Sequence, residues 1–231
     1  MTLTGKYAAE VLAYAHGVVD GSIVAGEDRV LGCMRFLEFL ERDDLEARTR
    51  DADFVIGIIE TTFHHRQGQS LDAQPMRGKP FLLEAWQKFC VYGMLIFYRR
   101  GTNVRIIKEA LIFVPRKNSK TLFAAALGWA LSLLEAQSGA KVYVVGAALK
   151  QALETYDSWA YNVRLMYPTK EALEKLLPSY SNIAIGKIYE ISDVAVKKWL
   201  DKFGLKREKR IESPDLTEEE IQKIRAELQA A

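Results

Sequence analysis

Apolar residues recur at helical spacing over the start of the chain. Tyr7, Val11, Leu12 and Ala15 share one side of a helix over residues 4 to 16. Asp20 to Gly26 breaks that pattern with a glycine at Gly21 and another at Gly26. A second helix, Glu27 to Arg42, aligns Val30, Cys33, Met34, Leu37 and Leu40. Asp53 to Phe63 can form a third, although Val55-Ile56-Gly57-Ile58-Ile59 equally suits a strand. Gly68 to Pro80 is polar and carries Pro75 and Pro80, which marks a loop. Residues 1–80 therefore read as an N-terminal helical layer.

After Pro80 the periodicity alternates. Leu83 to Phe97 is an apolar helix, Arg99 to Asn103 a turn, and Ile106 to Val114 a strand. Pro115 to Ser119 is a polar loop, and Thr121 to Glu135 is a helix rich in alanine and leucine. Lys141 to Val145 is a second strand and Leu149 to Arg164 a closing helix. Strand, loop, helix, strand and helix make one βαβ unit with a helix after it. The unbroken apolar run Val142-Tyr143-Val144-Val145 fits a strand buried on both faces of a parallel sheet. The fold class expected for 81–166 is α/β, a partial parallel sheet of the P-loop NTPase kind.

Met166-Tyr167-Pro168 reads as a hinge into a small all-α region over 169–210. Thr169 caps a helix from Lys170 to Leu177, and Ser181 caps a second from Asn182 to Tyr189. A three-residue turn, Glu190-Ile191-Ser192, leads to a third helix, Asp193 to Phe203. Ile185, Tyr189, Ile191, Val196 and Trp199 occupy the inward positions of a helix-turn-helix, and Gly186 supplies the small residue where its helices cross. Leu173, Leu176 and Leu177 complete that core. In residues 211–231, Thr217 caps an acidic helix opened by Glu218, Glu219 and Glu220, whose charges suit a helix N-terminus.

Composition adds little until charge is resolved along the chain. The protein is 49% hydrophobic and 27% charged, with a net charge of +2. Residues 170 to 210 hold ten basic and six acidic side chains, a local +4, whereas residues 211 to 231 hold two against six, or −4. A compact basic segment beside an acidic one suits contact with phosphates. Cys33 and Cys90 lack a partner at ligand spacing and read as reduced, buried thiols. His16, His64 and His65 cannot assemble a zinc site, since two are adjacent and one stands alone. The first residues lack the pattern of a signal peptide, and no apolar run reaches the length of a membrane span. A cytoplasmic protein without a membrane partner is expected.

The chemistry concentrates in Val114-Pro115-Arg116-Lys117-Asn118-Ser119-Lys120-Thr121, between the first expected strand and its helix. A phosphate-binding loop needs inward backbone amides, a lysine reaching the phosphates and a hydroxyl ligating magnesium. Lys120 and Thr121 stand where the last two are required, at a helix start that itself attracts anions. Both glycines of the general pattern are replaced, by Val114 and Ser119. On that pattern alone, a solvated turn carrying three cations is the simpler reading.

The stretch resembles the N-terminal ATPase segment of the phage terminase large subunit, the DNA-packaging motor of tailed phages. In the branch serving HK97-type heads the loop is written P-R-K-N-G-K-[ST], and Pro115 to Thr121 differs from it at Ser119 alone. The alanine-rich Leu122-Phe123-Ala124-Ala125-Ala126-Leu127 is similar to the helix that follows in the family. Gly139-Ala140-Lys141-Val142-Tyr143 and Ala147-Ala148-Leu149-Lys150-Gln151-Ala152 match its next strand and exit. Trp86-Gln87 matches the pair that sits near the adenine. The resemblance covers most of residues 1 to 165. It implies ATP and Mg2+ as cofactors, held by Trp86, Gln87, Arg116, Lys117, Asn118, Ser119, Lys120 and Thr121, with the Thr121 hydroxyl on the metal. It implies other terminase subunits and the portal as partners, inside a bacterial host.

Ser119 departs from a glycine that lets backbone approach phosphates and adopt torsions costly to other residues. A larger departure is the missing second motif: after Arg164 no apolar run ends in Asp-Glu, and no acidic nuclease cluster follows. Nucleotide binding is therefore expected to be weak or lost, and no catalytic residue is assigned. Arg99 and Arg100 read as solvating a turn, Glu154 and Asp157 as surface residues, and Tyr156, Trp159 and Tyr161 as packing the domain end.

Ile185 to Trp199 resembles the small helix-turn-helix domains at the ends of phage HNH endonucleases and integrases, written I-A-x-x-Y-G-V-S-D-x-A-V-x-K-W. Glu190 replaces a glycine at the turn, so it either takes a left-handed backbone at about 1 kcal/mol or rebuilds the turn. Double-stranded DNA is the partner this region implies. With Val196 and Trp199 inward, Asp193, Val194, Lys197, Lys198 and Lys202 face outward, the lysines toward phosphates and the first turn toward base edges. The reading is a terminase-like protein of phage or prophage origin, the nucleotide-binding front of a packaging ATPase with a DNA-binding tail and without autonomous catalysis. The alternatives are a vestigial or adaptor DNA-binding protein that binds no nucleotide, and an ATPase that borrows its acidic residues from another chain.

Overall fold

Two carboxylates on one apolar helix tie together the first part of the molecule. The computed structural model describes residues 3–70, 72–115, 118–134, 141–146, 148–166, 168–189, 191–206 and 216–230. The chain divides into two compact units, Met1–Trp159 and Ala160–Ala231. In the first lie α1 (Ala8–Val19), α2 (Glu27–Glu41), α3 (Arg50–Thr62), α4 (Ala85–Leu95), α5 (Lys120–Leu134) and the start of α6 (Leu149–Met166). The apolar run that equally suited a strand is helical in α3. Its Ala52, Val55, Ile56 and Ile59 fall on one stripe with Phe63, and all five are fully buried. The same helix projects Asp53 and Glu60, two turns apart. Asp53 accepts from the amides of Lys6 (3.0 Å) and Tyr7 (3.4 Å) and from the Tyr92 hydroxyl (2.5 Å). Glu60 accepts from the Tyr7 hydroxyl and the Leu83 amide, both at 3.1 Å, and pairs with Lys88 at 3.4 Å.

Between α2 and α3 runs β1 (Leu45–Ala47), paired antiparallel with β2 (Phe97–Arg99), with Leu45 opposite Arg99 and Ala47 opposite Phe97. This pair was not expected, since Phe97 reads as a helix end and Arg99 as a turn. The α4 helix stops at Leu95, and Phe97 instead lays its ring edge-on against Phe36 (5.2 Å) and Phe39 (5.3 Å). Arg100 does more than solvate a turn: its guanidinium donates to the carbonyls of Asp43 and Leu45, closing the edge of β1.

The parallel sheet expected from Ile106 to Val114 and Lys141 to Val145 is not formed among the described residues. Ile106 still donates to Phe97 O at 3.0 Å, but 107–114 and 141–145 run without a ladder partner. A strand exists only by pairing, and among the described residues neither segment is paired into a ladder. Their side chains alternate as strands do. Leu111 and Phe113 are 95% and 93% exposed and Val145 92%, while Ile112 and Val144 are exposed to a lesser degree, 37% and 39%. The fold described is a helical one with a two-stranded antiparallel sheet, a mixture of α and β. Cys33 and Cys90 are not bonded to one another, and burial pushes both thiols up to about 11, so neither is a nucleophile at neutral pH.

In the second unit, α7 (Lys170–Leu176), α8 (Asn182–Tyr189) and α9 (Asp193–Phe203) start where hydroxyl side chains cap them. Thr169 accepts from Ala172 N, Ser181 from Ala184 N and Ser192 from Ala195 N, at 3.1, 3.2 and 3.1 Å. Leu173, Leu176, Ile185, Ile188, Val196 and Leu200 form the core, with Trp199 packed against it. Gly186 lies under the connection to α9, where a Cβ atom would meet Ile191 O at 2.6 Å. Glu190 and its expected torsion lie outside the described residues. The acidic helix α10 (Glu218–Ala230) sends Ile221, Ile224 and Leu228 into the same cluster, and Arg225 donates to Ile188 O at 2.5 Å. That bond satisfies a carbonyl at the end of α8 that no helical amide reaches. Among the described residues no helix is long and apolar enough to cross a membrane.

The close approach at Gly186 can be tested. Gly186→Ala should destabilise the α8–α9 pair by about 1–3 kcal/mol, since backbone rather than a flexible side chain must move. Hydrogen exchange should then quicken in both helices under mild urea. Unchanged exchange would show that the two helices part without cost.

Candidate functional site

A cleft of about 790 Å³ opens in the first unit where four separated segments converge. It is lined by His65 to Ser70, by Glu84, Trp86 and Gln87, by Asn118 to Leu122, and by Glu154 and Ser158 of α6. Such a volume suits a small organic ligand.

One wall is the start of α4. Glu84 and Gln87 form a reciprocal capping box, in which Gln87 Oε1 accepts from the Glu84 amide at 2.9 Å. Trp86 Nε1 donates to Glu84 Oε2 at 2.8 Å, and its ring meets Phe123 edge-on at 5.7 Å. The position of Glu84 is set in turn by Leu83, whose amide is held by Glu60. Gln87 is 2% exposed, and its carbonyl oxygen is engaged in the cap rather than turned wholly to the cleft.

The facing wall is the start of α5. The first bond of the helix runs from Phe123 N to Ser119 O at 2.8 Å, so the amides of Lys120, Thr121 and Leu122 precede the helical ladder. Free amides at the positive end of a helix dipole attract an anion, and Lys120 is exposed beside them. Ser119 has φ +50°, in the left-handed region that glycine adopts without strain. The departure noted in the sequence thus falls on the one described loop residue whose torsion favours glycine. Asn118 Nδ2 donates to Pro115 O at 3.4 Å and steadies the approach. Arg116 and Lys117 lie outside the described residues, as do Gly139, Ala140 and Ala147.

The floor comes from α6. Trp159 Nε1 donates to Ala125 O at 2.5 Å, and its ring rests on Gly128, where a Cβ would lie 2.6 Å away. This contact orients Glu154 and Ser158 toward the cleft, the latter also donating to Glu154 O at 3.1 Å. Glu154 was read as a surface residue, Ser158 was passed over, and the stretch from Gly68 was read only as a loop. A polar loop rich in glycine and glutamine is a place where function concentrates, but no spacing rule ties it to residues fifty positions away. His65 packs edge-on against Phe81 at 5.2 Å, and burial together with the neighbouring His64 holds its pKa below the usual value.

In the second unit, Asp193, Val194, Lys197, Lys198 and Lys202 are all exposed on α9, while Val196 is buried. Lys202 Nζ lies 4.3 Å from the Trp199 ring centre, so its charge is partly held against its own helix. A second hollow of about 680 Å³ lies among Ile183, Lys187, Asp193, Glu218 and Arg225. Among the described residues no group of His, Cys, Asp and Glu is placed to hold a metal by side chains alone.

Residues 85–194, just under half of the 231, match the family described as terminase large subunit, ATPase domain. The match begins at the first residue of α4 and takes in Trp86, Gln87 and the whole loop before α5. It ends at Val194, beyond residue 165 where the resemblance read from motifs stops. Compared with curated proteins and with solved structures, the chain shows no significant match.

The torsion at Ser119 carries an expectation for stability. Ser119→Gly should raise the stability of the first unit by about 1 kcal/mol or somewhat less, as relief of left-handed strain is offset in part by the freer unfolded chain. A rise of a few degrees in melting temperature by calorimetry would agree. A fall would mean that serine makes a contact worth more than the strain.

Proposed function

We propose, from the match over 85–194, that the cleft binds a nucleotide as the front part of a DNA-packaging ATPase of the HK97-type branch. The single observation supporting this is that Trp86 and Gln87 line the same cleft as Asn118, Ser119, Lys120 and Thr121, although more than thirty residues separate them. The donor set fits a magnesium nucleotide. Lys120 and the leading amides of α5 would hold the phosphates, the Thr121 hydroxyl would ligate magnesium, and Trp86 would flank the base. Magnesium would supply charge neutralisation between the phosphate oxygens.

Turnover by this chain alone is not part of the reading. Hydrolysis in this class needs an acidic pair that orients magnesium and polarises water, and no apolar run after Arg164 ends in one. Glu84, the acidic residue beside Trp86, is committed to the start of α4. The uncovered faces of 107–114 and 141–145 favour a second reading, in which a separate polypeptide supplies the missing strands and acidic groups. Hydrolysis appearing only when a second packaging protein is added would select it. For the second unit, the reading is a helix-turn-helix that docks on double-stranded DNA through α9. The setting is the cytoplasm of a bacterial host, with terminase or portal subunits as partners.

Calorimetric titration of the full chain with ATP and magnesium should show weak binding that Lys120→Ala removes, without phosphate release above buffer. Absence of heat for both the native chain and Ser119→Gly would end the nucleotide reading. On duplex DNA, Lys198→Ala should weaken binding about equally for all sequences and flatten its salt dependence by roughly one counterion. An unchanged slope would remove α9 from the interface.

A further inference from the structure

The loop between α3 and α4 is a pinned hairpin. His65 N donates to Lys79 O (2.9 Å), Gly78 N to His65 O (2.8 Å) and Met76 N to Gly68 O (3.0 Å), with antiparallel bridges at His64–Pro80 and Gln69–Pro75. Arg66 therefore leaves a fixed backbone, and it does so into the cleft that holds Lys120 and Thr121.

Arg66 is incompletely used there. Its Nε is buried and makes no hydrogen bond, and its Nη1 stands 3.6 Å from Asp157 Oδ2, beyond hydrogen-bond length. A guanidinium presents several donors in one plane, a geometry suited to paired oxyanions. Of the carboxylates lining the cleft, Glu84 is engaged with Trp86 and α4, and the ion pair that Arg66 makes is with Asp157 rather than Glu154. A desolvated donor left without an acceptor is unfavourable, and an anion that draws the guanidinium into the cleft would remove that cost.

We propose that Arg66 is a second cationic contact, alongside Lys120, for the phosphate chain of a nucleoside di- or triphosphate, with Asp157 as the weak counter-ion it exchanges for phosphate. This rests on the nucleotide reading of the cleft and extends it to a residue from the N-terminal helical layer, outside the matched residues 85–194. Charge from that layer makes affinity depend on phosphate number. Adenosine alone leaves Arg66 with Asp157.

The test is calorimetric titration of the full chain with magnesium ATP, magnesium tripolyphosphate and adenosine. Arg66→Gln should weaken ATP and tripolyphosphate about tenfold or more and leave adenosine unchanged, with Arg66→Lys recovering part of the loss. Asp157→Asn should tighten both phosphate ligands a few-fold, because it removes the competing carboxylate. A merely structural ion pair would make both variants lose affinity for every ligand, and that outcome overturns the proposal. So does tripolyphosphate binding to Arg66→Gln at native strength. If the native chain binds tripolyphosphate through Arg66 but not ATP, the nucleotide reading alone fails. If it binds neither, both fail.

Discussion

The architecture of the first unit depends on α3 carrying two carboxylates on one side and an apolar stripe on another. Asp53 and Glu60 are surrounded by donors that would otherwise be stranded in a partly buried place: two amides before α1, the amide before α4, and two tyrosine hydroxyls. Removing either carboxylate would strand several donors at once, so the cost would exceed that of one bond. Burial, and then the bond to Asp53, push the Tyr92 hydroxyl well above the ordinary phenol range, so it stays a donor. On its apolar side α3 packs against α5, and Trp129 of α5 donates to Thr62 at 3.2 Å. One helix thus holds the approach to α4 through charge and the body of α5 through packing. The two walls of the cleft are registered to each other through it.

That registration explains why a loop with an unfavourable residue can keep its form. The strain at Ser119 is local and of order 1 kcal/mol, whereas the alanine face of α5 is buried without remainder at Ala125, Ala126 and Ala130. Packing along a fifteen-residue helix outweighs one torsion at its start. The loop's shape is inherited from the helix behind it. Its affinity for a ligand is a separate matter from that shape.

Much of this was legible in the sequence, for reasons that differ by element. The helices α8 and α9 were read to their end residues because Ser181 and Ser192 announce their starts and apolar residues fall at fixed offsets. The α3 helix was ambiguous because a β-branched run satisfies both periods, and only its buried stripe decides between them. The short pair β1 and β2 escaped notice because three residues carry too little alternation to register. The expected strands at 106–114 and 141–145 are not paired among the described residues, for another reason. Apolar alternation measures what a segment could bury, and pairing depends on neighbours that no local pattern contains. In the cleft, Trp86, Gln87 and Asn118 to Thr121 came from motifs, while Arg66, Glu154 and Ser158 arrive by long-range folding.

The contact between Trp159 and Gly128 has a bearing on genetics. An added methyl at position 128 would meet an indole held by its bond to Ala125 O, and the ring could yield only by shifting α6. Glu154 and Ser158 ride on that helix, so the cleft would lose its floor although position 128 does not line it. On the proposed nucleotide reading, a selection for impaired ligand capture would then return alleles at Gly128 next to those at Lys120. Such alleles would be restored by trimming the indole at position 159 and not by raising ligand concentration.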